Sequence, residues 1–520
     1  MRAWTLFGIL CLSCACGSAS EGSSDSSLEG TGFDHVGGGT GGSGTAGGSP
    51  ATGASGAAGA AVQPSVGGAG GTGGSAGASV AAACALLDST KDNVLYQSPD
   101  DSNSMASPVL VRRLIHAGEV VPPSLVRTYE FLNYYRIDYA PAEAGRVRVV
   151  PELRPGKKEG EYSLQIGIAA EKAVSPRRPM TLTFVLDTSG SMAGDRFERA
   201  MAALKTIAGQ LAEGDIISLL TWNTQVAVPL QGYAVKGPND PTLLGVLAKT
   251  FVDSSTDLDG GLKKGYEIAN QTYQPSRMNR VVLISDGEAN VGVTNGEVIG
   301  KASHAADDEG IYLVGVNVGT EAGDALMNIV TDKGRGASVF LDSTTEAASV
   351  FGPRFDETME IAARGVRLEL TMPWYMQMKT FSGEQSSTNP DHVDPQHLAP
   401  NDAMVFVETW APCDPSLVVA TDAVTAKATY QAPLTHEARE DVAHVTLGDL
   451  LAAPADHLAK GAAIVAYAET LKTAPTLSPV DASALVDKTI AQVKAANIGG
   501  TDPELTEIAG LLGIFHKKIF

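Results

Sequence analysis

Residues 181–192, TLTFVLDTSGSM, constrain this chain more than any other stretch: a β-branched, apolar run stops abruptly at Asp187, Ser189 and Ser191. An extended run delivers alternate side chains to one face, and a turn just past its end can fold three oxygens around one hard cation. Taken alone, Asp-Thr-Ser-Gly-Ser is also ordinary turn chemistry, because Asp and Ser bond their own backbone and Gly permits a sharp bend. Two later segments change its meaning. DSSTDLDGGL, residues 253–262, sets Thr256 in a polar loop ahead of a helical pattern, and RVVLISDGEAN, residues 280–290, is a second buried strand ending in Asp286.

With these three pieces the chain resembles the von Willebrand factor type A (vWA) family. The metal-ion-dependent adhesion site of that family combines an Asp-x-Ser-x-Ser motif with a distant Thr and a more distant Asp. The resemblance implies that the hydroxyls of Ser189 and Ser191, with Thr256 in at least one state, coordinate the ion directly. Asp187 and Asp286 would hold waters or one ligand position. It also implies that Asp187 ends the first strand and Asp286 the fourth, adjacent where strand order reverses, which is where open α/β sheets collect ligands. Hard oxygen ligands without His or Cys favour Mg²⁺ or Mn²⁺, with Ca²⁺ less suited. Few carboxylates leave the ion positive, so the expected partner is a protein presenting a Glu or Asp carboxylate. One departure bears on this. Related bacterial proteins often carry Asn after the loop Thr, whereas this chain has Asp257 and then Asp259. Negative charge there would tighten metal and weaken an acidic partner; alternatively Asp257 caps the helix that begins near Leu258.

Residues 179–355 read as the vWA domain. Strand candidates are TLTFVLD, IISLLTW from Ile216, VAVPL from Val226, VVLIS from Val281, IYLVGVNVG from Ile311 and SVFLD from Ser338. Helical patterns at 197–211, 258–273, 297–309, 324–331 and 346–351 lie between most of them. Continuous apolar strands separated by amphipathic helices predict an α/β fold, a doubly wound and mostly parallel sheet covered on both faces. The link from Trp222 to Val226 is too short for a parallel crossover, so the third strand is predicted to be an antiparallel edge.

Residues 84–178 form an N-terminal region in which Leu110, Leu114, Val126, Phe131 and Leu132 suit two short helices broken at Pro122 and Pro123. Its VRR and EFLNYY helices, in that order, resemble the segment preceding the vWA domain in a group of bacterial envelope proteins. Residues 356–520 offer the strands VRLELTM, MQMKTF, AMVFVETWAP, AKATYQAP and VAHVTL, then helical patterns near 457–471, 481–495 and 503–516. This half resembles the C-terminal part of the same proteins.

The chain opens MRAWTLFGILCLSCACGS: one Arg, a short apolar core, then small residues. That is the pattern of an export signal, too short to span a bilayer comfortably. Cys16 resembles the acylated cysteine of bacterial lipoproteins, with Ser13 where that family prefers Leu and Cys14 as a second acceptor. Residues 1–16 are therefore read as a signal peptide ending near a lipidated Cys16. The expected location is the outer membrane or cell envelope, facing periplasm or surface, with the membrane reached by the lipid anchor only. Residues 17–83, rich in Gly, Ala and Ser, cannot bury enough apolar surface to fold and read as a flexible linker. With Cys16 acylated, Cys84 and Cys413 remain, and the sequence leaves open whether they pair or stay as two buried thiols.

The formal net charge of −21 removes the driving force for nucleic-acid binding. Gly260 and Gly261 lack the following Lys-Ser or Lys-Thr of a phosphate loop. Ser191 has neither a Gly-x-Ser-x-Gly elbow nor an evident His partner. Asp391, His392, Asp394 and His397 cluster in a Pro- and Ser-rich loop where no element fixes their spacing. The expected function is thus a non-enzymatic, metal-bridged binding or adhesion module. The alternative is an envelope assembly factor whose vWA domain organises its flanks, and a metal-dependent hydrolase stands third. No feature sets the oligomeric state or identifies the partner.

Overall fold

The computed structural model describes residues 84–100, 103–223, 225–253, 258–287, 310–320, 327, 330–331 and 336–519. The described residues open with strand β1 (Asn93–Ser98), helices α1 (Ala106–Ala117) and α2 (Thr128–Tyr134), and strands β2 (Arg148–Pro155) and β3 (Tyr162–Ala169). The central sheet follows. It is built from β4 (Met180–Asp187), β5 (Ile216–Trp222), β6 (Val226–Ala234), β7 (Met278–Ser285), β8 (Ile311–Asn317) and β9 (Ser338–Phe340). Among the described residues its helices are α3 (Asp195–Gln210), α4 (Pro241–Leu247), α5 (Leu258–Thr272) and α6 (Thr344–Phe351), and the helical reading at 297–309 lies outside those residues.

Strand order in this sheet is β6-β5-β4-β7-β8-β9, parallel except for the antiparallel edge pair β5 and β6. The α/β reading and the antiparallel edge are both borne out. β4, β7 and β8 are buried along their whole length, as strands covered on both faces must be. Leu182, Phe184 and Leu186 of β4 share one core with Ala200, Ala203, Leu204 and Ile207 of α3, the last four spaced as one helical face. Val185 faces the opposite way, into a second core with Leu262, Ile268 and Ala269 of α5.

Two glycines set how closely α5 lies on the sheet. A Cβ on Gly261 would stand 2.7 Å from Trp222 Cγ, and one on Gly265 would stand 2.4 Å from Val185 Cγ2. Helix α4 has no counterpart in the sequence reading. Its start is nonetheless written locally, since Asp240 accepts hydrogen bonds from the backbone N–H groups of Thr242 and Leu243, and Pro241 occupies the first turn.

After the sheet come α7 (Phe355–Met359), β10 (Ala363–Met372), β11 (Met376–Phe381), β12 (Gln385–Ser387), β13 (Gln396–Leu398), β14 (Ala403–Pro412), β15 (Ala423–Gln431) and β16 (Ala438–Thr446). Helices α8 (Leu447–Ala452), α9 (Asp456–Thr473), α10 (Pro479–Ala496) and α11 (Pro503–Ile519) close the chain. Strands from before and after the central sheet interleave: β1 lies between β12 and β10, and β3 between β2 and β14. Leu164, Ile166 and Ile168 accordingly share a core with Leu368, Leu370, Phe406 and Trp410. The helices do the same, with Leu114, Phe131 and Tyr135 packed among Tyr467, Ile508 and Leu512. Cys84 and Cys413 form a disulfide, which resolves the alternative the sequence left open.

His397 lies buried in β13, where its Nδ1 accepts the Gly365 N–H at 3.0 Å and its ring stands edge-on to Tyr312. Among the described residues no group of three or more His, Cys, Asp or Glu is placed to hold a metal, so the cluster at 391–397 does not assemble a site.

Candidate metal centre at the strand switch point

Strand order reverses between β4 and β7, and their register sets Leu186 beside Ile284. The next residues, Asp187 and Ser285, are thereby brought together, and Ser285 Oγ donates to Asp187 Oδ2 at 2.7 Å. Asp187 Oδ1 accepts the backbone N–H of Ser189 at 2.9 Å, a turn that folds the loop back over the end of β4. One 3₁₀ turn at Gly190–Met192 follows, anchored by the buried side chain of Met192. It leaves Ser189 Oγ and Ser191 Oγ hydrogen-bonded to each other at 3.1 Å, with either able to donate.

Neighbouring loops are tied to this turn through Thr188. Its backbone N–H and its hydroxyl both donate to the Trp222 carbonyl at the end of β5, at 2.9 and 3.0 Å. Its carbonyl accepts the Asp253 N–H at 2.8 Å, which fastens the start of the loop that leads towards Thr256. Thr256 and Asp257 lie outside the described residues, as does Cys16.

Asp286, just past β7, is fully buried. Its Oδ2 accepts Arg196 Nη1 at 2.7 Å, and the same nitrogen donates to the Ser191 carbonyl at 3.1 Å. Arg196 stands in the first turn of α3, two residues after Gly194, whose φ of +79° is a left-handed conformation that suits glycine. Burial raises the Asp187 pKa above its ordinary value; hydrogen bonds from Ser189 and Ser285 oppose the rise and the charge of Asp286 adds to it.

The donor set fits a small hard cation. Adjacent oxygens of an octahedral Mg²⁺ at about 2.1 Å lie about 3.0 Å apart, close to the 3.1 Å between the two serine hydroxyls. Two buried carboxylates with neighbouring hydroxyls supply charge and neutral oxygens, and burial of Asp187 favours anything that neutralises it. Gly190 and Ser191 leave the turn accessible, Gly190 having open space where a Cβ would stand. Beside the turn lies a largely apolar hollow whose lining includes Thr188, Val228, Val246, Phe251 and Asp253.

Sequence reasoning named Asp187, Ser189, Ser191 and Asp286, and the structure gathers these at one end of the sheet. It missed Ser285 and Arg196. The parallel register would have pointed to Ser285 once β4 and β7 were known to be neighbours. Nothing local in the sequence directs a first-turn arginine towards Asp286.

The von Willebrand factor type A domain profile matches residues 181–352. The uncharacterized protein YfbK of Escherichia coli is 25% identical over 318 residues, covering 58% of this chain and 54% of that protein. Human inter-alpha-trypsin inhibitor heavy chain H1 is 33% identical over 124 residues, or 22% of this chain and 13% of that protein. The chain thus spans about half the length of the first relative and a small part of the second. Among solved structures, a von Willebrand factor type A protein from Catenulispora acidiphila aligns with a TM-score of 0.44 at 14% identity, covering 69% of this chain and 89% of that one.

Proposed function

Residues 181–352 form a von Willebrand factor type A domain, and from that premise we propose that the chain is a cell-envelope binding protein that recruits a partner's carboxylate through a divalent cation. Domains of this family commonly mediate protein–protein interaction or adhesion, often bind a divalent metal, and are generally not enzymes. The ion would be held by Asp187, Ser189, Ser191, Thr256 and Asp286, with Mg²⁺ or Mn²⁺ preferred for an all-oxygen set. When bound, it supplies a positive centre with an open position for a Glu or Asp. The observation that carries the reading is the Ser189–Ser191 hydroxyl pair, 3.1 Å apart beside the buried carboxylate of Asp187. The adjoining hollow with its exposed Phe251 supports a contact surface there.

A ligand that binds the native state alone stabilises it by about 2.7 kcal/mol at a hundred times its Kd. The melting temperature is therefore expected to rise with Mg²⁺ in the parent chain and to stay flat in the Asp187→Ala/Ser189→Ala variant. Partner recovery from envelope extract should fall with the same variant and with EDTA. A Mg²⁺-dependent rise that persists in the variant would place the ion elsewhere. Recovery that ignores both treatments would favour the second reading, in which the domain mainly organises its flanks. The interleaved strands around the central sheet give that reading its support.

The anchor belongs to the same proposal. Export followed by acylation of Cys16 would tether the binding domain through residues 17–83. Mass spectrometry of the mature N-terminus is expected to find lipid on Cys16, and an unmodified thiol there would remove the anchor.

A further inference from the structure

We propose that Arg196 is a resident counter-cation of the metal centre, a positioning residue that holds Asp286 when the divalent ion is absent and weakens the ion's hold when it is present. This deepens the reading of the site as a divalent-cation centre and rests on it. The geometry is specific: one guanidinium nitrogen reaches both Asp286 Oδ2 at 2.7 Å and the Ser191 carbonyl at 3.1 Å. It therefore bridges two of the three loops that carry the proposed ligands.

The two partners differ in freedom. The Asp286 side chain is 0% exposed and that of Arg196 is 24% exposed. A buried carboxylate is costly to leave without a counter-charge, whereas a partly exposed arginine can swing its head towards water. An arriving Mg²⁺ thus meets an Asp286 already neutralised, and a guanidinium close enough to repel it. To bind that carboxylate it has to displace the arginine. Displacement lowers affinity and makes occupancy responsive to the ambient Mg²⁺ concentration.

Titration calorimetry of MgCl₂ into the folded chain, comparing the parent with Arg196→Gln and Arg196→Lys, tests this directly. The glutamine variant is expected to bind at least ~10-fold more tightly, about 1.4 kcal/mol, and the lysine variant, which keeps the charge, to stay near the parent. In EDTA the glutamine variant is expected to melt below the parent, with the gap closing or reversing in excess Mg²⁺. A purely structural role would lower the melt without tightening Mg²⁺. Parent binding that Arg196→Gln leaves equal or weaker overturns the role of Arg196 alone. No binding by either protein overturns the metal reading and this inference with it, whereas binding by the variant only would be its strongest support. A measurement on the parent covers a variant that fails to fold: phenylglyoxal labelling of Arg196, read by peptide mass spectrometry, should be faster in Mg²⁺ than in EDTA. Equal rates would count against the proposal.

Discussion

Replacing Arg112 with alanine is expected to lower the free energy of unfolding by about 3–5 kcal/mol, the cost of breaking a buried charge cluster by removing one member. Arg112 lies on α1, yet its bonds go elsewhere. Nε donates to Asp342 at 2.9 Å, Nη2 to Glu346 of α6 at 2.7 Å, and Nη1 to Glu507 of α11 at 3.2 Å and to the Tyr134 hydroxyl at 2.8 Å. The side chains of Arg112, Asp342 and Glu346 are nearly inaccessible, at 13%, 12% and 7% exposed. Burial works against the guanidinium charge, and Tyr134, Glu346 and Asp342 outweigh it, so the arginine stays protonated. Without it, Asp342 and Glu346 lose a shared counter-charge inside the protein. The cluster joins the last helix of the central sheet to the body made by the chain's two flanks, so the loss should appear where those parts meet. Urea denaturation followed by fluorescence is the measurement. Coupling predicts that Arg112→Ala combined with Glu346→Gln costs less than the sum of the single changes. Additive losses would show that Arg112 and Glu346 do not couple, and an unchanged midpoint for Arg112→Ala would show that the cluster is energetically idle.

What the sequence made legible was whatever the chain writes locally. The buried strands of the central sheet are unbroken apolar runs, and MQMKTF and AMVFVETWAP coincide with β11 and β14 because they alternate or stay apolar over strand lengths. The short link after Trp222 dictated an antiparallel neighbour without any knowledge of the rest. Helices α9 to α11 were visible as long helical runs; Ser478 and Pro479 mark the start of α10 and Pro503 that of α11, whereas α9 opens on Asp456. The interleaving of the flanks was not legible. β1 is a short strand whose partners β10 and β12 lie far along the chain, and pairing at that separation leaves no periodic mark. The candidate site divides the same way. Asp187, Ser189 and Ser191 follow from one motif, whereas the Ser285 bond needs the strand register and the reach of Arg196 to Asp286 needs the packed helix.

The Cys84–Cys413 disulfide carries the other large effect, since it closes a loop of 329 residues. A cross-link stabilises chiefly by restricting the unfolded chain, and the restriction grows slowly with loop length; removal of a native disulfide typically costs about 2–5 kcal/mol. The long span here argues for the upper half of that range. Both ends are placed to transmit it. Cys413 follows β14, the strand that pairs with both β11 and β3, is buried, and donates its backbone N–H to the Tyr375 carbonyl at 2.8 Å. Cys84 stands at the end of the Gly/Ala/Ser-rich sequence, packed at the edge of the same core. The bond therefore pins the first described residue to the end of a central strand of a sheet whose other members come from both flanks. Cys84→Ala/Cys413→Ala is expected to unfold at a lower urea midpoint with a steeper dependence on urea, because the unlinked chain exposes more surface when it expands. Dithiothreitol should move the parent protein to the same midpoint and leave the variant unchanged. Two titratable thiols in the mature native protein, or a midpoint indifferent to both treatments, would separate the flanks that this bond is argued to hold together.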